Sequence, residues 1–81
     1  MNVRVRMFAL ARQLFGDAEI ELQLPERASV RDVRALLAER FPDAAALLAN
    51  SLIAVDARYA ADDTPISPQN EIAVIPPVSG G

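Results

Sequence analysis

The segment Asn2-Val3-Arg4-Val5-Arg6-Met7-Phe8 decides the fold, because apolar and polar residues alternate along it as far as Met7. A period of two predicts a β-strand with one buried face. The buried face would carry Val3, Val5 and Met7, and the outward face would carry Arg4, Arg6 and Phe8. An aromatic ring on the outward face makes Phe8 a candidate contact for a partner protein.

The segment from Glu19 to Leu24 alternates in the same way and predicts a second strand, which Pro25 ends. In an antiparallel pairing of the two strands, Arg4 and Arg6 face the carboxylates of residues 19 and 21. Opposite-charge pairs of this kind contribute about 0.2–1 kcal/mol each. The charges therefore favour this pairing over the alternatives.

Two further segments have helical patterns. Residues 9–15 lack the alternation and predict a short helix that ends at Gly16. Ser29 begins a longer helix, and Pro42 stops it. Residues 44–49 suit another helical turn or two. The longer helix has an apolar stripe of Val30, Val33, Leu36, Leu37 and Phe41. The helical arginines could bind an acidic partner, but a solvated helix face is the favoured interpretation; they are Arg12, Arg31, Arg34 and Arg40.

Short segments in the second half complete the predicted sheet. Leu52–Val55 predicts a strand, Asp56–Arg58 a turn, and Tyr59–Ala60 a short returning strand. Glu71–Ile75 predicts the last strand, with the residues at 72 and 74 inward. The order β-β-α-β-β predicts an α+β fold, a mixed sheet of four to five strands crossed by one main helix. We expect it to form a single domain over residues 1–81.

The composition excludes several classes of function. The 81 residues include no cysteine and no histidine, which removes disulfides, thiolate nucleophiles, common zinc sites and the usual general base. The net charge of −3 disfavours binding to nucleic acids. No apolar run approaches the about 20 residues that span a membrane, and we expect a cytoplasmic protein without a metal. So small a chain favours a carrier, a binding module or a subunit.

The C-terminal segment Pro76-Pro77-Val78-Ser79-Gly80-Gly81 carries the functional signal. The prolines lack N–H donors and fix φ, so they end the last strand and extend the chain stiffly. The two glycines leave the end thin and unhindered. Residues 76–81 are therefore predicted to be a flexible, extended tail that can enter a narrow active site in a partner. Taken alone, such an end also fits a terminus without a role.

Motifs along the whole chain resemble the small subunit of molybdopterin synthase, a ubiquitin-like sulfur carrier with the β-grasp fold. The resemblance lies in residues 6–16, in Ala54-Val55-Asp56, in 63–66 and in 70–81, and the Pro-Pro-Val-Ser-Gly-Gly ending is its most specific part. The chain departs from the family pattern at two positions. Asp56 stands where the family usually has Asn, and Asn70 stands where Asp is common.

The resemblance implies that an E1-like adenylyltransferase uses ATP to adenylate Gly81, and that a sulfur donor protein then converts it to a thiocarboxylate. The tail would enter the large, catalytic subunit and donate sulfur to cyclic pyranopterin monophosphate, giving the dithiolene of molybdopterin. This chain would be a non-catalytic subunit of a heterotetramer and would bind no cofactor itself. The residues that would pass into the large subunit are Pro76, Pro77, Val78, Ser79 and Gly80.

A partner surface is predicted at the base of the tail. Phe8 on the first strand would lie beside Ala73 and Ile75 on the last, because these strands are neighbours in a β-grasp sheet. In the alternative, Leu10 or Leu14 covers Phe8. Tyr59 is predicted to be packed or to lie on the surface rather than to be catalytic. The two aspartates at 62 and 63 could suggest a metal, but before Thr-Pro they are predicted to form a turn.

Three other functions stay open at this point. The chain could carry sulfur for thiamin thiazole synthesis or for tRNA thiolation. It could be a ubiquitin-like modifier that forms isopeptide bonds with target lysines. It could also be an interaction domain with an inert tail.

Overall fold

The computed structural model describes residues 1–77, apart from the side chains of residues 9 and 10. Within this part of the chain, a mixed five-stranded sheet is covered on one face by helices. In chain order the elements are β1 (Asn2–Met7), α1 (Ala9–Phe15), β2 (Glu19–Gln23), α2 (Val30–Arg40), a 3₁₀ turn (Pro42–Ala44), α3 (Ala45–Asn50), β3 (Leu52–Val55), β4 (Arg58–Tyr59) and β5 (Ile72–Ile75). The α+β class, the mixed sheet and the main helix predicted from the sequence are confirmed.

The strand order in the sheet is β2-β1-β5-β3-β4. β1 is antiparallel to β2 and parallel to β5, while β5 is antiparallel to β3. The first hairpin has the predicted register, with Arg4 opposite Glu21 and Arg6 opposite Glu19. Arg6 nevertheless makes its ion pair with Glu71 beside β5, at 2.7 Å. The charged residues therefore agree with the register of β1 and β2, and the ion pair of Arg6 with Glu71 also joins β1 to the start of β5.

The core lies between the sheet and α2. The alternation of β1 and β5 places their inward residues at 0–3% exposure, which confirms the predicted buried faces. Ser29 donates its backbone N–H to Asp32 Oδ2 at 2.8 Å, so the first turn of α2 is capped as the sequence predicts. At the other end, the rings of Phe15 and Phe41 meet edge to face with centroids 4.6 Å apart. This contact fastens α1 to the end of α2.

Arg34 contradicts the prediction of a solvated helix face. Its Nη1 donates to the carbonyl oxygens of Leu48 and Ser51, and its Nη2 donates to Asp62 Oδ1 at 3.1 Å. The side chain is only 22% exposed. The guanidinium satisfies the end of α3 and holds the segment around Asp62, and several charge-assisted hydrogen bonds offset the cost of burying the charge.

The connection between β3 and β4 also differs from the prediction. The turn was predicted over 56–58 and the return strand over 59–60, whereas β4 is Arg58–Tyr59. Asp56 and Ala57 both have positive φ, at 52° and 68°, so a two-residue turn suffices and Arg58 already pairs with Val55.

The longest helix of residues 1–77 has 11 residues, and none in this part of the chain is long and apolar enough to cross a bilayer.

Candidate functional site

The tail leaves the sheet from its middle strand. β5 lies between β1 and β3 and ends at Ile75, after which Pro76 is half-buried and Pro77 is exposed. Residues 78–81 lie outside the described part of the chain, so the roles predicted for Val78, Ser79, Gly80 and Gly81 stay predictions. The described residues give the base of the tail and its surroundings.

The open face of the sheet has an apolar groove at this base. The structure brings Phe8, Ala73 and Ile75 together around a groove of about 300 Å³. Phe8 is 46% exposed, and the other two are half-buried. The remaining lining residues are Arg6, Ala54, Ala57, Tyr59 and Glu71. The three residues predicted to share a surface do so, and their contact with a partner stays a prediction.

The alternative in which α1 covers Phe8 fails for the part of α1 whose side chains are described. Leu14 is itself 49% exposed, and Phe8 keeps nearly half of its surface open. Two large apolar side chains near one end of the sheet therefore remain in contact with solvent. Exposed apolar surface of this kind marks sites where proteins bind other molecules.

Sequence analysis missed Tyr59 as a member of this site. Tyr59 is 68% exposed and lies opposite Ala54 in the β3–β4 pairing, on the same face as Ala73. Leu52 faces the same side, opposite Ile75. All four residues of β3 are apolar, so no alternation in the sequence indicated that Leu52 faces this side. Tyr59 required the correct turn between β3 and β4, because a shift of one residue changes the face on which a side chain lies.

The turn between β3 and β4 is tied to the residues that precede β5. Asp56 N–H donates to the carbonyl oxygen of Glu71, and Glu71 N–H donates to Asp56 Oδ1, both at 2.8 Å. Asn70 Nδ2 donates to Asp56 Oδ2 at 2.7 Å. The two positions at which the chain departs from the family pattern are thus the two ends of one hydrogen bond. The bond joins one amide and one carboxylate.

The other half of the open face is charged. Arg6 and Glu71 form an ion pair at 2.7 Å along one wall of the groove. Arg4 approaches Glu19 at 3.9 Å farther along the same face. Within residues 1–77, no three acidic side chains come together in a metal-binding arrangement. The groove is suited to an apolar protein surface with a polar rim.

Comparison with known proteins places the chain in a family. The model of the ThiS family matches residues 5–81. The molybdopterin synthase sulfur carrier subunit of Caenorhabditis briggsae is 34% identical over 83 residues, which cover 100% of this chain and 99% of that protein. These findings confirm the resemblance that the sequence motifs indicated.

Solved structures agree with the fold. A protein described as molybdopterin converting factor subunit 1, from Pyrococcus furiosus, superposes with a TM-score of 0.85 at 34% identity over 96% of this chain and 99% of that one. A complex of subunits 1 and 2 of the molybdopterin-converting factor from Helicobacter pylori matches with a TM-score of 0.71 at 23% identity, over 100% of both chains. The β-grasp fold is shown, and the chain belongs to the ThiS family.

Proposed function

We propose that this chain is the sulfur carrier subunit of a molybdopterin synthase and that Gly81 carries the sulfur. The observation that carries the proposal is the match to a sulfur carrier subunit along nearly its whole length, 34% identical over 99% of the Caenorhabditis briggsae protein. The described structure supports it, because the tail begins at the end of the middle strand and beside an apolar groove.

The chemistry follows from the properties of a terminal carboxylate, which is ionised at neutral pH and a poor electrophile. Its oxygen attacks the α-phosphorus of ATP on the activating enzyme, forming an acyl-adenylate and releasing pyrophosphate. The terminal sulfur of a persulfide on the donor protein attacks the carbonyl carbon and AMP leaves, which gives an acyl disulfide. A thiol then attacks the donor's sulfur and breaks the S–S bond, so that the thiocarboxylate is released and the donor is left as a disulfide with that thiol. Transfer of the sulfur to cyclic pyranopterin monophosphate, followed by hydrolysis, returns the carboxylate. Glycine at 80 and 81 leaves the carbonyl open to each nucleophile.

The large subunit is the proposed partner of the groove. Phe8, Ala73 and Ile75 would dock against it while residues 76–81 enter its active site. The Helicobacter pylori relative was solved as a complex of two subunits, which supports an assembly of this kind. The E1-like adenylyltransferase and the sulfur donor protein would meet the same tail before the synthase does. A cytoplasmic location of the chain is part of this proposal.

Intact-mass measurement tests the proposal. The purified chain is incubated with ATP, an activating enzyme of the family and a sulfur donor. We expect a mass increase equal to the exchange of one oxygen for sulfur, and we expect fragmentation to place it on Gly81. A variant that lacks Gly81 should show no exchange and should unfold at the same urea concentration as the parent, because glycine has no side chain that could be buried.

Two results would contradict the proposal. An unchanged mass, in a reaction where the activating enzyme thiolates its own carrier, would show that Gly81 is not a substrate. Normal molybdopterin synthesis with the variant that lacks Gly81 would show that the tail does not carry the sulfur. Covalent adducts with lysines of other proteins, without thiocarboxylate, would favour the ubiquitin-like modifier instead.

A further inference from the structure

We propose that Asp56 is a positioning residue of the groove: it fixes the β3–β4 turn against the start of β5 and thereby holds Tyr59 where the large subunit docks. This inference rests on the proposed function. Asp56 itself does not line the groove, whereas Ala57, Tyr59 and Glu71 do. Its effect on binding therefore passes through the residues that it holds.

The side chain of Asp56 has an acceptor role on both of its oxygens. Oδ1 accepts the N–H of Glu71 at 2.8 Å, and Oδ2 accepts Nδ2 of Asn70 at 2.7 Å. The amide of Asn70 is oriented by Ser67, whose N–H donates to Asn70 Oδ1 at 2.7 Å. Because a backbone N–H can only donate, the oxygen of Asn70 must face Ser67 and its NH₂ must face Asp56. Each hydrogen bond of this network therefore pairs a donor with an acceptor.

The hairpin that these bonds hold is short. β4 consists of two residues, and both Arg58 and Tyr59 are exposed. Ala57 adopts φ of 68°, a left-handed conformation that is unfavourable for a residue with a Cβ. A strained turn that precedes two exposed side chains does not serve the core. Backbone strain that the surroundings maintain is concentrated at functional sites.

Tyr59 is the group that such a hairpin presents. It is the most exposed large apolar side chain among those described, and it lines the groove together with Phe8. Tyrosine is over-represented among the residues that contribute most to protein–protein affinity, since it buries a large rigid ring at low entropic cost. An unrestrained hairpin would have to be ordered on binding, and the affinity would fall accordingly.

Exchanging the two partners tests the inference. In Asp56→Asn an NH₂ group faces the NH₂ of Asn70, and in Asn70→Asp two carboxylates face each other. The double variant Asp56→Asn/Asn70→Asp restores one amide–carboxylate bond and keeps acceptors for Glu71 N–H and Ser67 N–H. We expect each single variant to bind the large subunit of molybdopterin synthase about three- to tenfold more weakly, the effect of one lost hydrogen bond. The double variant should bind within about twofold of the parent.

Isothermal titration with the purified large subunit measures the affinities, and Tyr59→Ala is the reference for complete loss of the presented ring. The N–H of Ala60 donates to the carbonyl oxygen of Ile53 at 2.9 Å, so its hydrogen exchange reports how often the hairpin opens. This exchange should be faster in the single variants. Equal affinities for the parent and both single variants would contradict the inference alone. Loss without rescue in the double variant would also contradict it. Failure of the parent to bind would contradict the proposed docking and this inference together, while the mass test of Gly81 would stand.

Discussion

The two faces of the sheet differ in a way that separates folding from function. At its centre the covered face carries apolar side chains that are at most 8% exposed: Val3, Val5, Met7, Ile20, Leu22, Ile53, Ile72 and Val74. Toward the edge strand β4, the same face continues with half-buried Val55 and exposed Arg58. The open face is charged at one end and apolar at the other. Burial of the first set drives folding, at roughly 25 cal/mol for each Å² of apolar surface removed from water.

Folding does not account for the apolar end of the open face. Phe8, Leu52 and Tyr59 each keep about half or more of their surface exposed, and removing them from water would require another molecule. Leu52 lies opposite Ile75, the last residue of the strand that leads into the tail, and Phe8 and Tyr59 line the same groove as Ile75. The difference between the faces therefore indicates a surface that is built for a partner, at the base of the tail.

The largest expected effect compares two neighbours on β3 that face opposite sides. Ile53 is 1% exposed on the covered face, and Leu52 is 52% exposed on the open face. We expect Ile53→Ala to lower the free energy of unfolding by about 2–5 kcal/mol, because it removes buried methyl groups and leaves a cavity. Leu52→Ala should lower it by less than about 1 kcal/mol.

Urea denaturation of the two variants measures this difference, and the parent chain is the common reference. Similar losses for the two substitutions would mean that the open face also contributes to the core. The assignment of its apolar end to a partner would then lose its main support.

Sequence patterns were sufficient where the structure depends on local periodicity. Alternation gave β1 and β2 with their buried faces, and the opposed charges of Arg4 and Glu21 agree with the observed register. The neighbourhood of β1 and β5, known from the resemblance, placed Phe8 beside Ile75. These features depend on one or two strands at a time, and the hydrophobic pattern specifies them strongly.

Features that depend on several distant segments were missed. The acceptors of Arg34 come from residues 48, 51 and 62, and no helical pattern shows that they converge. Ala57 gave no turn signal, since alanine rarely adopts positive φ and glycine or asparagine usually marks such a turn. The error in this turn also removed Tyr59 from the predicted surface. Local rules fail here because tertiary contacts maintain a conformation that the local sequence disfavours.

A smaller change in the free energy of unfolding is expected at two residues with positive φ, one of which is an alanine and the other a glycine. Gly16 and Ala57 have similar positive φ values, 76° and 68°, but Gly16 ends α1 and Ala57 lines the groove. We expect Ala57→Gly to raise the free energy of unfolding by about 0.5–1 kcal/mol, and Gly16→Ala to lower it by about 1 kcal/mol. A Cβ at residue 16 would meet nothing within 4 Å, so no steric contact with a neighbouring residue contributes to the loss there.

Urea denaturation of both variants measures whether each substitution raises or lowers the free energy of unfolding. A loss of stability in Ala57→Gly would show that the methyl group of Ala57 contributes packing, and that the turn is not strained on behalf of the groove. A higher free energy of unfolding in Ala57→Gly, together with weaker binding to the large subunit, would show that the strained turn lowers stability but favours binding.

The smallest expected effect concerns the charged end of the open face. Arg6 and Glu71 form a close ion pair, at 2.7 Å, but their side chains are 54% and 65% exposed. Solvent screens such pairs, so a double-mutant cycle with Arg6→Ala and Glu71→Ala should give a coupling of only about 0.5 kcal/mol. Raising the salt concentration to about 1 M, where the screening length is about 3 Å, should lower it further. A coupling above about 2 kcal/mol that is insensitive to salt would show that this pair supports the fold as the covered face does. The charged end would then be structural, and only the apolar end of the open face would remain without a role in folding.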